Sequence, residues 1–151
     1  MLERIFKTSD SYAPIAIRLF LGLVILPHGA QKLLGLFGGY GFSGTMGFFT
    51  ETMGLPWIIG FMVILLESFG AIALIAGLAT RFISVSFIAL ALGIVFTSHI
   101  DHGFFMNWFG NQSGEGYEYF LLWIGMAASL VITGGGKYST DKLLLETIEN
   151  D

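Results

Sequence analysis

Long apolar runs alternate with short polar or glycine-rich joints along this chain, over about residues 13–34, 57–78, 82–98 and 117–133. Each approaches the ~20 residues that a helix needs to cross ~30 Å of hydrocarbon, the third and fourth being short. Backbone N–H and C=O groups cannot be left bare in lipid, so each run is predicted to be a helix. The pattern as a whole predicts an all-α integral membrane bundle of four helices. Pro27 falls inside the first run, where its ring should kink the helix and free the Leu23 carbonyl.

Composition strengthens this picture. Only 12% of residues are charged and 54% are hydrophobic, whereas soluble domains carry about 25% charge. Helices, short loops and tails use up the 151 residues, so a single domain over 1–151 is expected. The net charge of -4 comes from scattered acids and leaves no basic stripe for nucleic acid. With no cysteine, disulfides, thiolate nucleophiles and iron–sulfur ligation are excluded together. Redox chemistry would need a bound cofactor or a partner protein. Glu3, Asp10 and Arg18 interrupt any signal-peptide pattern and no small-residue cleavage site follows, so the first helix is expected to stay in the mature protein.

Charge placement predicts orientation. Arg4, Lys7, Arg18, Arg81, Lys137 and Lys142 share one side if the chain crosses four times, while Lys32 is the only cation near the other ends. Both termini are therefore expected in the cytoplasm. The outer loop after the first helix holds Gly35, Gly38, Gly39, Gly41, Gly44 and Gly47. It follows a membrane helix, with no strand–turn–helix unit, so it reads as tight turns and close packing and not as a dinucleotide loop. Beyond Gly134–Gly136, Ser139 or Thr140 is expected to cap a short amphipathic tail helix carrying Leu143, Leu144 and Ile148.

Ionisable groups inside membrane helices are costly and need a partner or a cavity. Arg18, His28 and Lys32 fall on one stripe of the first helix, with Leu21 and Ile25 between them. Glu67 lies near the middle of the second, with Gly60, Gly70 and Ala71 on roughly the same face to permit close approach. A structural Arg18–Glu67 ion pair is the simplest expectation. The alternative is that Glu67 exchanges protons with a ligand or with His28. At the outer ends stand His28, Gln31 and Lys32, then His99, Asp101 and His102, then Glu118 and Tyr119. Aromatic residues crowd the same side: Phe42, Phe48, Phe49, Trp57, Phe104, Phe105, Trp108 and Phe109. They form an interfacial belt, or else line a slot for a flat amphipathic molecule such as a quinone, stacked on rings and hydrogen-bonded at its oxygens. A bis-His haem on His28 and His99 rests on two histidines alone, and a metal on His99, Asp101 and His102 only on neighbouring loop residues, so neither is assigned.

The pieces also fit a family. Arg18, the run from His28 to Leu33, Phe37–Gly41 with Gly44 and Thr45, Glu67–Ala71, Gly77–Arg81, His99 with Gly103–Phe105, Glu118–Tyr119 and Gly136–Asp141 occur in order over nearly the whole chain. With them the sequence resembles the DoxX family of small bacterial membrane proteins. The resemblance implies association with oxidoreductase systems, some relatives being similar to the membrane subunit of a thiosulfate:quinone oxidoreductase. The absence of cysteine argues against covalent handling of thiosulfate here.

The resulting expectation is a redox-associated membrane protein binding a quinone or similar lipid-soluble molecule near the outer face. His28, Lys32, Glu67 and Glu118 would carry the chemistry, and Gln31, His99, Tyr119 and Trp108 would hold the cofactor. It would act as a homo-oligomer or with a soluble redox partner. The competing expectation is a scaffold or assembly subunit that recruits a soluble redox enzyme. A small transporter is a third, with no internal inverted repeat to support it.

Overall fold

The computed structural model describes residues 6–150, with side chains through Ile148. Glu3 and Arg4, invoked above for the leader and the orientation, lie outside the described residues. The helices are α1 (Ala13–Leu34), α2 (Gly41–Gly47), α3 (Trp57–Ala76), α4 (Thr80–His102), α5 (Glu118–Thr133) and α6 (Thr140–Asn150), and there is no strand among the described residues. Three of these, α1, α3 and α4, are long and apolar enough to cross a membrane, and α5 is a shorter apolar helix beside them. The molecule is thus a helical membrane bundle.

Packing follows from where small and large side chains fall. Leu21 and Ile25 of α1, Ala71 and Leu74 of α3, Phe87 and Ala91 of α4, and Trp123 and Leu130 of α5 are buried together in one core. The Phe87 and Trp123 rings meet edge to face at 5.9 Å. Glycine sets the α1–α3 approach. A methyl at Gly29 would overlap the backbone of Glu67, and one at Gly22 would press on Ile75 and the Ala71 carbonyl. The two helices therefore run in near backbone contact, as small residues allow in lipid, where no hydrophobic force drives helices together.

One end of the bundle is tied by the chain's beginning and its last helix. Ser9 N–H donates to the Thr133 carbonyl and Lys137 N–H to the Ser11 carbonyl. The buried Asp141 carboxylate accepts from Ala79 N–H at 2.6 Å and Thr80 N–H at 2.8 Å. Arg81 reaches the Lys7 and Ile132 carbonyls. The start of α1, the α3–α4 turn and the approach to α6 thus share one end, as an up-down-up-down path requires. Residues 35–56 and 103–117 lie at the other.

The outer loop after α1 is more ordered than its glycines suggest. Gly35, at φ 71°, stops α1 with its N–H on the Ala30 and Gln31 carbonyls. The chain then folds back so closely that Gly39 has no room for a Cβ beside Gln31. It continues as α2 and a wide π-type turn over Phe48–Thr52. Met46 and Phe49 from this segment are buried against Ile64 of α3, and Phe49 lies over Gly60. The expected run of tight turns is therefore corrected to a short helix. Three glycines in α2 are poor helix formers, but tertiary burial of two large side chains outweighs that preference.

Candidate functional site

Two further π-type turns lie in the long helices, Leu66–Gly70 in α3 and Val95–His99 in α4. Such turns widen a helix and often mark functional positions. The first carries Glu67, which is 3% exposed, and turns its carboxylate towards the end of α1. There Lys32 Nζ stands 2.5 Å from Glu67 Oε2. Lys32 is in the last turn of α1, where the helix dipole favours a cation.

This pairing corrects the Arg18–Glu67 expectation. Arg18 donates instead to the Ile75 carbonyl at 2.8 Å and the Tyr138 carbonyl at 2.7 Å. The reason is register. With Gly29 against Glu67 and Gly22 against Ala71 and Ile75, Arg18 lies level with the end of α3, about 12 Å of helix rise from Glu67. Arg18 is a fastener of the far end and Lys32 is the partner of Glu67.

The Lys32–Glu67 pair stands where cavities meet. A cavity of about 200 Å³ is lined by His28, Lys32, Glu67, Tyr119, Phe120 and Trp123, with Ile94 closing it. A second of about 360 Å³ lies on the other side of the pair, between α3, α4 and the fold-back segment, walled by Phe48, Phe49, Val63, Gly93 and Ile94 among others. A third of about 260 Å³ joins Lys32 to Gln31, Gly39, Tyr40 and Thr45. Lys32 borders all three. Its ammonium has three donors, of which Glu67 takes one, and its side chain is 25% exposed. The site thus offers charge-assisted donors beside a buried carboxylate, a phenol and an imidazole, inside an apolar wall. That set can hold an oxygen acceptor and pass protons to and from it.

The structure therefore brings His28, Lys32, Glu67 and Tyr119 to one cavity, with Gln31 adjoining through Lys32. It does not bring Glu118, Trp108 or His99 there. Glu118 Oε1 accepts from Met106 N–H at 2.9 Å and Trp108 Nε1–H at 3.3 Å, so the two fasten each other in the 103–117 loop. His99 Nδ1 is 2.7 Å from the Glu115 carbonyl and its ring packs on Phe120 at 4.8 Å. Gln31 Nε2 donates to the Phe37 carbonyl at 3.3 Å, bracing the fold-back turn. His102 Nδ1 is 3.1 Å from Ser113 Oγ, and among the described residues no three His, Asp or Glu side chains converge as a metal would require. Of the aromatic rim, Phe48 and Phe49 line the cavities, Phe42 and Trp57 pack on Phe61, and Phe104, Phe105, Trp108 and Phe109 are exposed on the outer loop.

Trp123, Phe120 and Ile94 were missed as site residues, because each reads from the sequence as an ordinary apolar position of its helix. The inward side of α5 was marked only by Glu118–Tyr119 at its start. Gly29 was legible as part of a motif, but its contact with Glu67 needed the register.

Comparison with known proteins agrees with this architecture. The chain is 26% identical over 136 residues, 90% of each chain, to a protein of Bacillus subtilis (strain 168) described as "Putative oxidoreductase CatD". No solved structure matches it. The DoxX family model matches residues 13–100, which contain α1 to α3, α4 up to Ile100 and both members of the Lys32–Glu67 pair, and this multi-pass membrane protein belongs to the DoxX family.

Proposed function

We propose that this protein binds the head of a quinone at Lys32–Glu67 and serves as the membrane component of an oxidoreductase system in the bacterial plasma membrane. The observation that carries the reading is a cation–carboxylate pair set among apolar cavities, with Tyr119 and His28 on the same wall. A bound quinone supplies an acceptor for two electrons and two protons. Lys32 Nζ holds a ring oxygen with the donors that Glu67 leaves free. Glu67, paired with Lys32, keeps that ammonium placed and exchanges a proton through it. His28 and Tyr119 extend the proton path along the cavity wall, and Phe120 and Trp123 keep the pocket dry. The chain has no cysteine, so the electrons come from a partner protein or a further bound cofactor. Relationship to a protein described as an oxidoreductase supports the same reading.

The test is titration of the purified protein with menadione, followed by quenching of tryptophan fluorescence, since Trp123 lines the pocket. Wild-type protein should quench saturably, and Lys32→Met should lose at least tenfold in affinity. Equal affinity in the two would overturn the assignment of Lys32.

A further inference from the structure

A cavity of about 560 Å³, larger than those at the polar pair, lies apart from it. It is a groove between α3 and α4, with Met62, Leu66 and Phe69 on one wall and Phe82, Ile83 and Ser86 on the other. Its rim residues Met62, Phe69 and Phe82 are exposed on the apolar outside of the bundle, the surface that faces hydrocarbon. Ser86 brings a hydroxyl to this wall, and that hydroxyl donates to the Phe82 carbonyl of its own helix. The groove therefore offers a ligand almost only hydrocarbon contact, and no free hydroxyl donor.

At its other end the groove shares Ile59, Val63, Ala89 and Leu90 with the 360 Å³ cavity that reaches Lys32 and Glu67. There too the Thr97 hydroxyl is spent on the Gly93 carbonyl. Small residues keep the passage wide: a side chain at Gly93 would meet nothing within 4 Å, and Ala89 stands at the junction. The path thus runs from open lipid-facing groove through an apolar throat to a charged pair. Its polarity rises at the end where Thr97, Ser98 and the Lys32–Glu67 pair stand.

That gradient fits a molecule with an oxygen-bearing head and a flexible hydrocarbon tail, and it does not fit a water-soluble one. We infer that the α3–α4 groove holds the isoprenoid tail of the quinone and admits the molecule sideways from the bilayer. This rests on the function proposed above, which supplies the head at Lys32. In lipid the tail gains no hydrophobic free energy by entering the groove. The groove's contribution is steric admission and alignment of the head.

The experiment uses full-length protein in lipid nanodiscs and two ring-matched probes, menadione and a naphthoquinone carrying two isoprenyl units with a diazirine at the tail end. Ser86→Phe fills the groove at a position outside every cavity that Lys32 borders, and Ala89→Phe blocks the junction of the groove with the 360 Å³ cavity. Both should weaken the tailed probe at least tenfold, and Ser86→Phe should leave menadione within twofold of wild type. Irradiation should label peptides of α3 and α4 facing the groove. Undiminished binding of the tailed probe by both variants, or labels on α5 or scattered over the outer surface as an unspecific lipid chain would give, overturns the groove assignment alone. Failure of menadione to bind wild-type protein overturns the Lys32 reading and the tail assignment with it.

Discussion

Lys32 and Glu67 bring together two charges that would each be costly alone in a membrane. A buried pair of this kind contributes little net stability, but removing one partner leaves the other charge uncompensated, at about 3–5 kcal/mol. Lys32→Met is accordingly expected to lower the thermal midpoint in detergent sharply. The double change Lys32→Met with Glu67→Gln should recover most of the loss while remaining unable to bind quinone. If the double variant is as unstable as the single one, the pair is not the source of the effect. At the other end of the molecule Asp10 receives Lys142 at 2.7 Å and Lys137 at 3.5 Å. The hydrogen bond from Lys142 holds the Asp10 carboxyl below its ordinary value of 3.8, and Asp10 in turn raises the Lys142 ammonium above 10.5. A lowered carboxyl stabilises the fold above its unfolded value and loses that contribution as pH falls through the folded one. A raised ammonium stabilises below its unfolded value and loses it as pH rises further. Docking of α6 on residue 10 should therefore be constant between about pH 4 and 10 and loosen outside that window. Amide exchange along α6 at pH 3 and pH 7 measures it, and equal exchange after correction for intrinsic rates would contradict the role of Asp10. The effect should be small, because these groups are exposed and screened.

Among the elements, the C-terminal helix acts as a cap for another helix. Asp141 supplies both carboxylate oxygens to the first backbone donors of α4, which no residue of α4's own leading turn satisfies with a side chain. Replacing such a capping group costs about 2 kcal/mol at the upper end. Asp141→Ala should therefore speed exchange at Ala79 and Thr80 and lower the thermal midpoint, and Asp141→Asn should do so less. Unchanged exchange at those amides would refute the capping role. Helix existence was legible from the apolar runs because lipid permits few alternatives, and the spans predicted at 13–34, 57–78, 82–98 and 117–133 match α1, α3, α4 and α5 closely. The cap was legible as Ser139 or Thr140, and it is Ser139 Oγ that receives Lys142 N–H at 3.2 Å. The helix α2 was not legible, since Gly41, Gly44 and Gly47 dominate it and the burial of Met46 and Phe49 becomes visible only once Gly60 has been placed opposite. The Arg18–Glu67 pairing failed for a related reason. Nothing in the sequence sets the register of α1 against α3, and the glycine contacts fix it so that Lys32, and not Arg18, reaches Glu67.

For the whole molecule, the ties among residues 9–14, the α3–α4 turn and α6 place the first and last described segments at one end of the bundle, and the cation distribution predicts that end to be cytoplasmic. Cysteines introduced singly at the exposed Ser43 and at Glu146 should react with a membrane-impermeant maleimide in opposite senses, Ser43 in intact spheroplasts and Glu146 only after lysis. The reverse pattern would invert the topology without altering the bundle. What this architecture does is gather a cation, a carboxylate, a phenol and an imidazole at one junction of apolar cavities, while Glu118, Trp108 and His99 serve the outer loop. The most direct measurement is purification in lipid-retaining detergent of wild type and of the Lys32→Met, Glu67→Gln double variant, with solvent extraction and mass spectrometry of bound quinone against protein. The account predicts near-stoichiometric quinone with wild type and a loss of at least tenfold with the folded double variant. Quinone absent from wild type, or retained equally by both, would contradict it.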